Sequence, residues 1–156
     1  MTTPAPVARG VVDAVGDRPV ALVVEDDEDV SALLEAHLRR LGWACHRTST
    51  GEEGVALARL VGPRLALVDI GLPGMDGREV VRLLRAQEET RACAVVVTTV
   101  LDGDDLDEVG YDALLPKPFS RRDVERLLAD VSRRAPRPAP APPRPRTPSS
   151  TPGGAS

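Results

Sequence analysis

The feature that most constrains the fold is an alternation between short, uninterrupted apolar runs and stretches of helical periodicity. VALVV at 20–24 stops at an acidic cluster, and LALV at 65–68 stops at Asp69. AVVVTT at 94–99 is rich in β-branched residues, and ALL at 113–115 leads to Lys117. Strands this continuously apolar have no face to offer water, so they belong in a parallel sheet covered on both sides. Between them, Val30, Leu33, Leu34, Leu38 and Leu41 recur at helical spacing up to Gly42. A short strand at 43–46 and a helix at 52–61 follow, the helix capped by Thr50 and ended by Gly62-Pro63. Val80, Leu83 and Leu84 line a helix at 79–86, and Val124, Leu127, Leu128 and Val131 line a last one capped by Ser120. The segment 102–110 is an acidic connection with at most one or two helical turns. Right-handed crossovers leave few topologies open, and the expected one is a doubly wound α/β fold. For its five-stranded parallel sheet, the expected flavodoxin-like order 2-1-3-4-5 is one of the two common arrangements.

This pattern occupies only part of the 156 residues. Eight of the 15 prolines lie in 136–156, which holds no Leu, Ile, Val or aromatic residue and so cannot build a core. The first 18 residues are rich in Pro, Ala and Gly. The expected organisation is therefore a disordered extension at 1–18, one domain at 19–135, and a disordered Pro-rich tail at 136–156. Removing the three tail arginines from the overall charge of −4 leaves −7 for residues 1–135. An acidic domain argues against nucleic-acid binding, because phosphate neutralisation needs a basic face. No apolar stretch approaches membrane-spanning length and no signal-peptide core is present, so no membrane partner is expected and the location is read as cytoplasmic. Cys45 and Cys93 sit in predicted strands without metal-ligand spacing and read as buried thiols.

In a doubly wound sheet, chemistry gathers beyond the carboxyl ends of the strands. Those ends deliver Glu25 and Asp26, Asp69, Thr98 or Thr99, and Lys117. Three carboxylates brought together repel one another unless a cation sits among them. Mg²⁺ suits such a set, because it takes oxygen ligands and keeps several waters. A carboxylate can also attack phosphorus, and the transferred group then needs metal, ammonium and hydroxyl partners to spread its charge. Asp27, Glu28 and Asp29 need no such role; acids in a first helical turn complement the helix dipole. Lys117, flanked by two prolines, is the only lysine beside 19 arginines. Its compact ammonium suits a phosphoryl oxygen.

The segments ALVVEDD, LALVDIGLPGMDG, VVVTT and LLPKPFS, in this order and spacing, resemble the receiver domains of two-component response regulators over about residues 19–134. The resemblance implies a phosphorelay domain that accepts a phosphoryl group from a sensor histidine kinase or phosphotransfer protein on Asp69, with Mg²⁺, and signals to a downstream protein. It implies metal ligation by Asp26 and Asp69 directly, by Glu25 through water, and by the backbone carbonyl of Gly71. Lys117 matches the lysine that contacts the acceptor and then the phosphoryl group. Reading forward from Asp76-Gly77 without a gap puts Thr99 at the switch hydroxyl, and a one-residue deletion puts Thr98 there. Three positions depart from the pattern: the stretch between Thr99 and Lys117 is short, Leu114 stands where an aromatic is usual, and Val100 stands where a small residue is usual. The competing reading is a receiver-shaped adaptor that acts through protein binding without phosphorylation. A hydrolase acting on small phosphates fits less well, because neither His37 nor His46 sits at a strand end.

Overall fold

The computed structural model describes residues 18–100 and 110–133. Five strands form one parallel sheet: β1 (Val20–Val24), β2 (Ala44–Thr48), β3 (Leu65–Asp69), β4 (Ala94–Thr99) and β5 (Ala113–Pro116). Their order is β2-β1-β3-β4-β5, as expected. The helices are α1 (Glu28–Arg40), α2 (Gly51–Val61), α3 (Gly77–Ala86) and α4 (Arg121–Arg133). The extensions expected at 1–18 and 136–156 lie outside the described residues apart from Arg18, and so does most of the connection at 102–110.

Alternation along each strand divides the core into two layers. Leu22 and Val24, Ala66 and Val68, and Val95 and Val97 pack with Ala58 of α2 and with Val80, Val81 and Leu84 of α3. Ala21 and Val23, Leu65 and Leu67, Val96 and Leu115 pack with Leu34 and Leu38 of α1 and with Val124, Leu127 and Leu128 of α4. Every residue of β1 and β3 is buried, which is what a central parallel strand with a helical layer on each side demands. Edge strand β2 is mostly half-buried and correspondingly more polar.

Local chemistry sets the helix ends. Asp27 caps α1 by accepting hydrogen bonds from the N–H groups of Asp29 and Val30 at 3.0 and 3.1 Å. Thr50 caps α2 through the Glu53 N–H, as its position in the sequence indicates. Gly62 ends α2 at φ 56°, a left-handed conformation that glycine adopts without strain. Asp76 caps α3, and Ser120 with Asp123 makes a reciprocal pair at the start of α4. Two residues fall outside the strands expected to hold them. Trp43 belongs to the turn before β2, because its N–H closes on the Leu38 carbonyl at 2.9 Å and its ring is buried with α1. Cys93 likewise precedes β4, in a turn closed by its N–H to the Thr90 carbonyl. Among the described residues, no helix is long and apolar enough to cross a membrane.

Candidate functional site

Backbone hydrogen bonds that run past the strand ends hold the site residues in place. The Glu25 N–H continues the β1–β2 ladder to the Thr48 carbonyl at 3.1 Å. The Ile70 N–H reaches the Thr98 carbonyl at 3.1 Å, and the Lys117 N–H reaches the Thr99 carbonyl at 2.8 Å. The loop after β3 is pinned by buried Ile70 and Leu72 and by Gly77, whose close approach leaves no room for a side chain beside the Asp69 carbonyl. The Lys117–Pro118 peptide is cis.

This framework brings together Glu25, Asp26, Asp69 and Lys117. The three acids each offer a carboxylate oxygen, and these oxygens lie within 4.8 Å of one another. Glu25 and Asp69 are buried, whereas Asp26 is exposed at the mouth. The two oxygens of Asp69 have different partners. Oδ1 accepts the Gly71 N–H at 3.0 Å, and Oδ2 lies 3.4 Å from the Lys117 Nζ. Lys117 is closer still to Glu25, donating to Oε2 at 2.7 Å, while Glu25 Oε1 accepts the Asp27 N–H at 3.2 Å. The sequence reading directs Lys117 to Asp69 alone. Its shorter bond to Glu25, 92 positions away, has no sequence signal, because only the folded sheet lays β1 and β5 against the same crevice.

Burial pushes the Glu25 carboxyl up to about 7, against the pull of its hydrogen bonds from Lys117 and the Asp27 N–H. Burial also works against the Lys117 ammonium, but the Glu25 hydrogen bond and the charges of Asp69 and Glu25 outweigh it and hold its pKa above the ordinary lysine value. An all-oxygen set of three carboxylates, one of them open to solvent, has the donor chemistry that Mg²⁺ prefers.

The two threonines at the end of β4 are both buried and face opposite layers. Thr98 stands opposite Asp69 in the register, on the side of Val96 and Leu67. Thr99 stands opposite Pro116, on the side of Val97 and of Leu114, which packs against that layer. Val100, next in the chain, is 76% exposed.

A second polar cluster, which the sequence reading does not single out, lies at the opposite end of β4. Arg85 of α3 meets Asp112 and also donates to the carbonyls of Arg91, Cys93 and Gly110. It braces the entry to β4 and β5 and takes no part in the strand-end crevice.

Comparison with known proteins places these features in a family. Residues 21–129 match the response regulator receiver domain. The alkaline phosphatase synthesis transcriptional regulatory protein PhoP of Bacillus subtilis is 34% identical over 119 residues, covering 73% of this chain and 48% of that protein. A DNA-binding dual master transcriptional regulator of Synechocystis, RpaA, is 36% identical over 118 residues, covering 72% of this chain and 47% of that protein. The chain thus spans about half the length of these curated relatives. Among solved structures, the receiver domain of a sensor histidine kinase from Pseudomonas aeruginosa, with a magnesium ion coordinated in its active site cleft, superposes with a TM-score of 0.68. It is 29% identical, and the alignment covers 74% of this chain and 98% of that one. A chemotaxis protein of Vibrio cholerae, CheY4, superposes with a TM-score of 0.70 at 22% identity, covers 73% of this chain and 98% of its own, and shows the shared fold. The family match extends from β1 into α4 and takes in all five strands, so the chain belongs to the response regulator receiver domains.

Proposed function

We propose that this chain is a phospho-acceptor of a phosphorelay, taking a phosphoryl group from the phosphohistidine of a sensor histidine kinase or phosphotransfer protein onto Asp69. The observation that carries this reading is the Asp69 carboxylate at the end of β3, grouped with Glu25 and Asp26 and 3.4 Å from the Lys117 ammonium. The chemistry is a displacement at phosphorus. An Asp69 oxygen forms the new P–O bond as the P–N bond to the donor imidazole breaks, and the imidazole nitrogen keeps the electron pair and takes up a proton.

Each residue has a defined task. The Gly71 N–H fixes Oδ1 of Asp69, which leaves Oδ2, the oxygen beside Lys117, as the nucleophile. Lys117 neutralises charge on the transferred group, as a compact ammonium does well. Asp26 and Asp69 would hold Mg²⁺ directly, Glu25 through water, and Gly71 through its carbonyl. Bound Mg²⁺ supplies the positive charge that lets three carboxylates coexist with a phosphoryl group. By the alignment with the family, the hydroxyl that follows the phosphoryl group is that of Thr99; Thr98, which stands opposite Asp69 in the register, is the alternative that the geometry supports. Output runs through protein contacts, because the domain's net negative charge disfavours nucleic acid.

The test is incubation with acetyl phosphate and Mg²⁺, read by intact mass. One phosphoryl group is gained, none is gained without Mg²⁺, and none by Asp69→Asn. A phosphorylated Asp69→Asn chain overturns the assignment, and a parent chain that gains nothing favours the adaptor reading. Thr99→Ala and Thr98→Ala, compared for the change in amide exchange on phosphorylation, identify the switch residue as the variant that loses it.

A further inference from the structure

Helices α1 to α3 return the chain from the carboxyl ends of the strands to their amino ends, and α4 leaves the carboxyl end of β5 to pack in the same layer as α1. Acids occupy the first turn of every helix and bases the last, which complements the helix dipoles. Charge is thereby segregated along the strands, acidic at the crevice and basic at the opposite end. The dipoles do not account for all of the basic end. Arg18, Arg64 and Arg91 belong to no helix; they precede β1, β3 and β4. The Arg64 N–H donates to the Val20 carbonyl and its own carbonyl accepts the Ala94 N–H, which sets it in the middle of this end. These three, with Arg40 and Arg133, are exposed and have no ion pair among the described residues. Acids are fewer here: Arg59 takes up Glu89 at 3.9 Å, and Glu88 and Asp130 remain. Of the four large apolar side chains exposed among the described residues, two lie at this end, Leu41 at 37% closing α1 and Leu60 at 63% in the last turn of α2. The sequence continues from Arg133 with four more arginines and no acid.

We infer that the amino-end face of the sheet is a docking surface for an anionic lipid bilayer, its guanidinium groups on lipid phosphates and Leu41 and Leu60 among the headgroups. The overall charge of −4 conceals this face because it sums two ends of opposite sign. The five residues of β1 span about 17 Å, roughly twice the Debye length at physiological salt, so a bilayer at one end senses mainly that end. Guanidinium groups bind phosphate oxygens in a bidentate fork. The two leucines favour a bilayer over nucleic acid, because the boundary between headgroups and acyl chains accepts apolar side chains and a phosphodiester backbone does not. The expectation of no membrane partner rests on spanning length and a secretory core, and neither bears on attachment to a surface. Docked in this way, the crevice faces away from the bilayer and stays open to a phosphodonor.

The experiment is co-sedimentation of the full chain with vesicles of phosphatidylglycerol and phosphatidylcholine in equal parts, against vesicles of phosphatidylcholine alone. The chain sediments with the first and not with the second, and rising NaCl releases it. Each arginine near an anionic surface strengthens binding about fivefold, so Arg40→Glu with Arg64→Glu weakens it by about a hundredfold or more. The same charge change at the crevice end, Arg121→Glu with Arg122→Glu, leaves binding near the parent value. Leu41→Ser with Leu60→Ser weakens it several-fold, most visibly at high salt, where the charges are screened. A parent chain that stays in solution with anionic vesicles overturns the proposal. Equal losses from the two arginine pairs overturn it, because net charge and not this face then governs binding. No loss from Arg40→Glu with Arg64→Glu overturns it by putting the binding on residues 134–156. Tighter binding to duplex DNA than to vesicles, unchanged by the leucine substitutions, overturns it in favour of nucleic acid. The parent titrations need no variant, so the proposal remains testable if a substituted chain folds poorly.

Discussion

The Arg85 guanidinium lies 2.6 Å from the Asp112 carboxylate and ties the end of α3 to the start of β5. The same carboxylate oxygen accepts the Val95 N–H at 2.8 Å, so one side chain serves a helix and two strands. Both partners are largely buried, at 16% and 11% side-chain exposure. Asp112→Ala leaves a buried guanidinium without its countercharge and the Val95 N–H without its acceptor, and is expected to cost about 3 kcal/mol. Asp112→Asn keeps an acceptor oxygen in place and is expected to cost roughly half as much. Urea denaturation of both variants checks the order.

Gly77 supplies a second prediction. A Cβ there would overlap the Asp69 carbonyl oxygen and crowd the Ile70 Cα, and backbone atoms cannot rotate away. A Cβ on Gly54 would meet Val24 side-chain atoms at 2.6 Å, a contact that a rotamer change can relax in part. Gly77→Ala is expected to be the worse of the two, at about 3 kcal/mol or more against about 1–2 kcal/mol for Gly54→Ala. Only Gly77→Ala should also weaken Mg²⁺ binding, because it displaces the end of β3. Thermal melts and calorimetry separate the two effects.

The thiols give the pH dependence. Burial pushes both Cys45 and Cys93 up to about 12, against an ordinary value of 9.0. The unfolded chain therefore loses these protons first. The folded state binds more protons between those two values, so stability falls as pH rises from about 9 toward 12. Below pH 9 the thiols leave stability unchanged. At pH 8 neither should react with iodoacetamide at the rate of a free thiol, and Cys93, 4% exposed, should be slower than the half-buried Cys45. Mass spectrometry after timed alkylation measures this.

Metal addition gives the fourth. A ligand that binds only the folded state adds about 2.7 kcal/mol of stability at a hundred times its dissociation constant. Mg²⁺ should raise the melting temperature of the parent chain accordingly. Asp26→Asn should lose most of that rise and melt no lower than the parent in metal-free buffer, because one of three clustered negative charges is gone. A chelator-treated melt paired with a Mg²⁺ melt for each chain reports both.

Much of this protein is legible along the chain because its information is local. A short apolar run such as VALVV, ended by an acidic cluster, reads as a strand buried on both faces, and Thr50 or Gly62-Pro63 marks a helix end by its own backbone chemistry. Handed crossovers between such units narrow the strand order to a few, and the crevice residues follow from the rule that strand ends converge. Glu25, Asp26, Asp69 and Lys117 were all identifiable in this way. What only the tertiary structure decided are the pairings between elements distant in sequence. That Lys117 sits closer to Glu25 than to Asp69 depends on side-chain reach across β1, β3 and β5. That Thr98 stands opposite Asp69 while Thr99 turns to the Leu114 side depends on register, where one residue of shift exchanges the two faces. That Arg85 finds Asp112 depends on where α3 ends above the sheet. None of these has a periodicity or spacing to announce it, because an ion pair is set by distance in space and a sequence pattern records only distance along the chain.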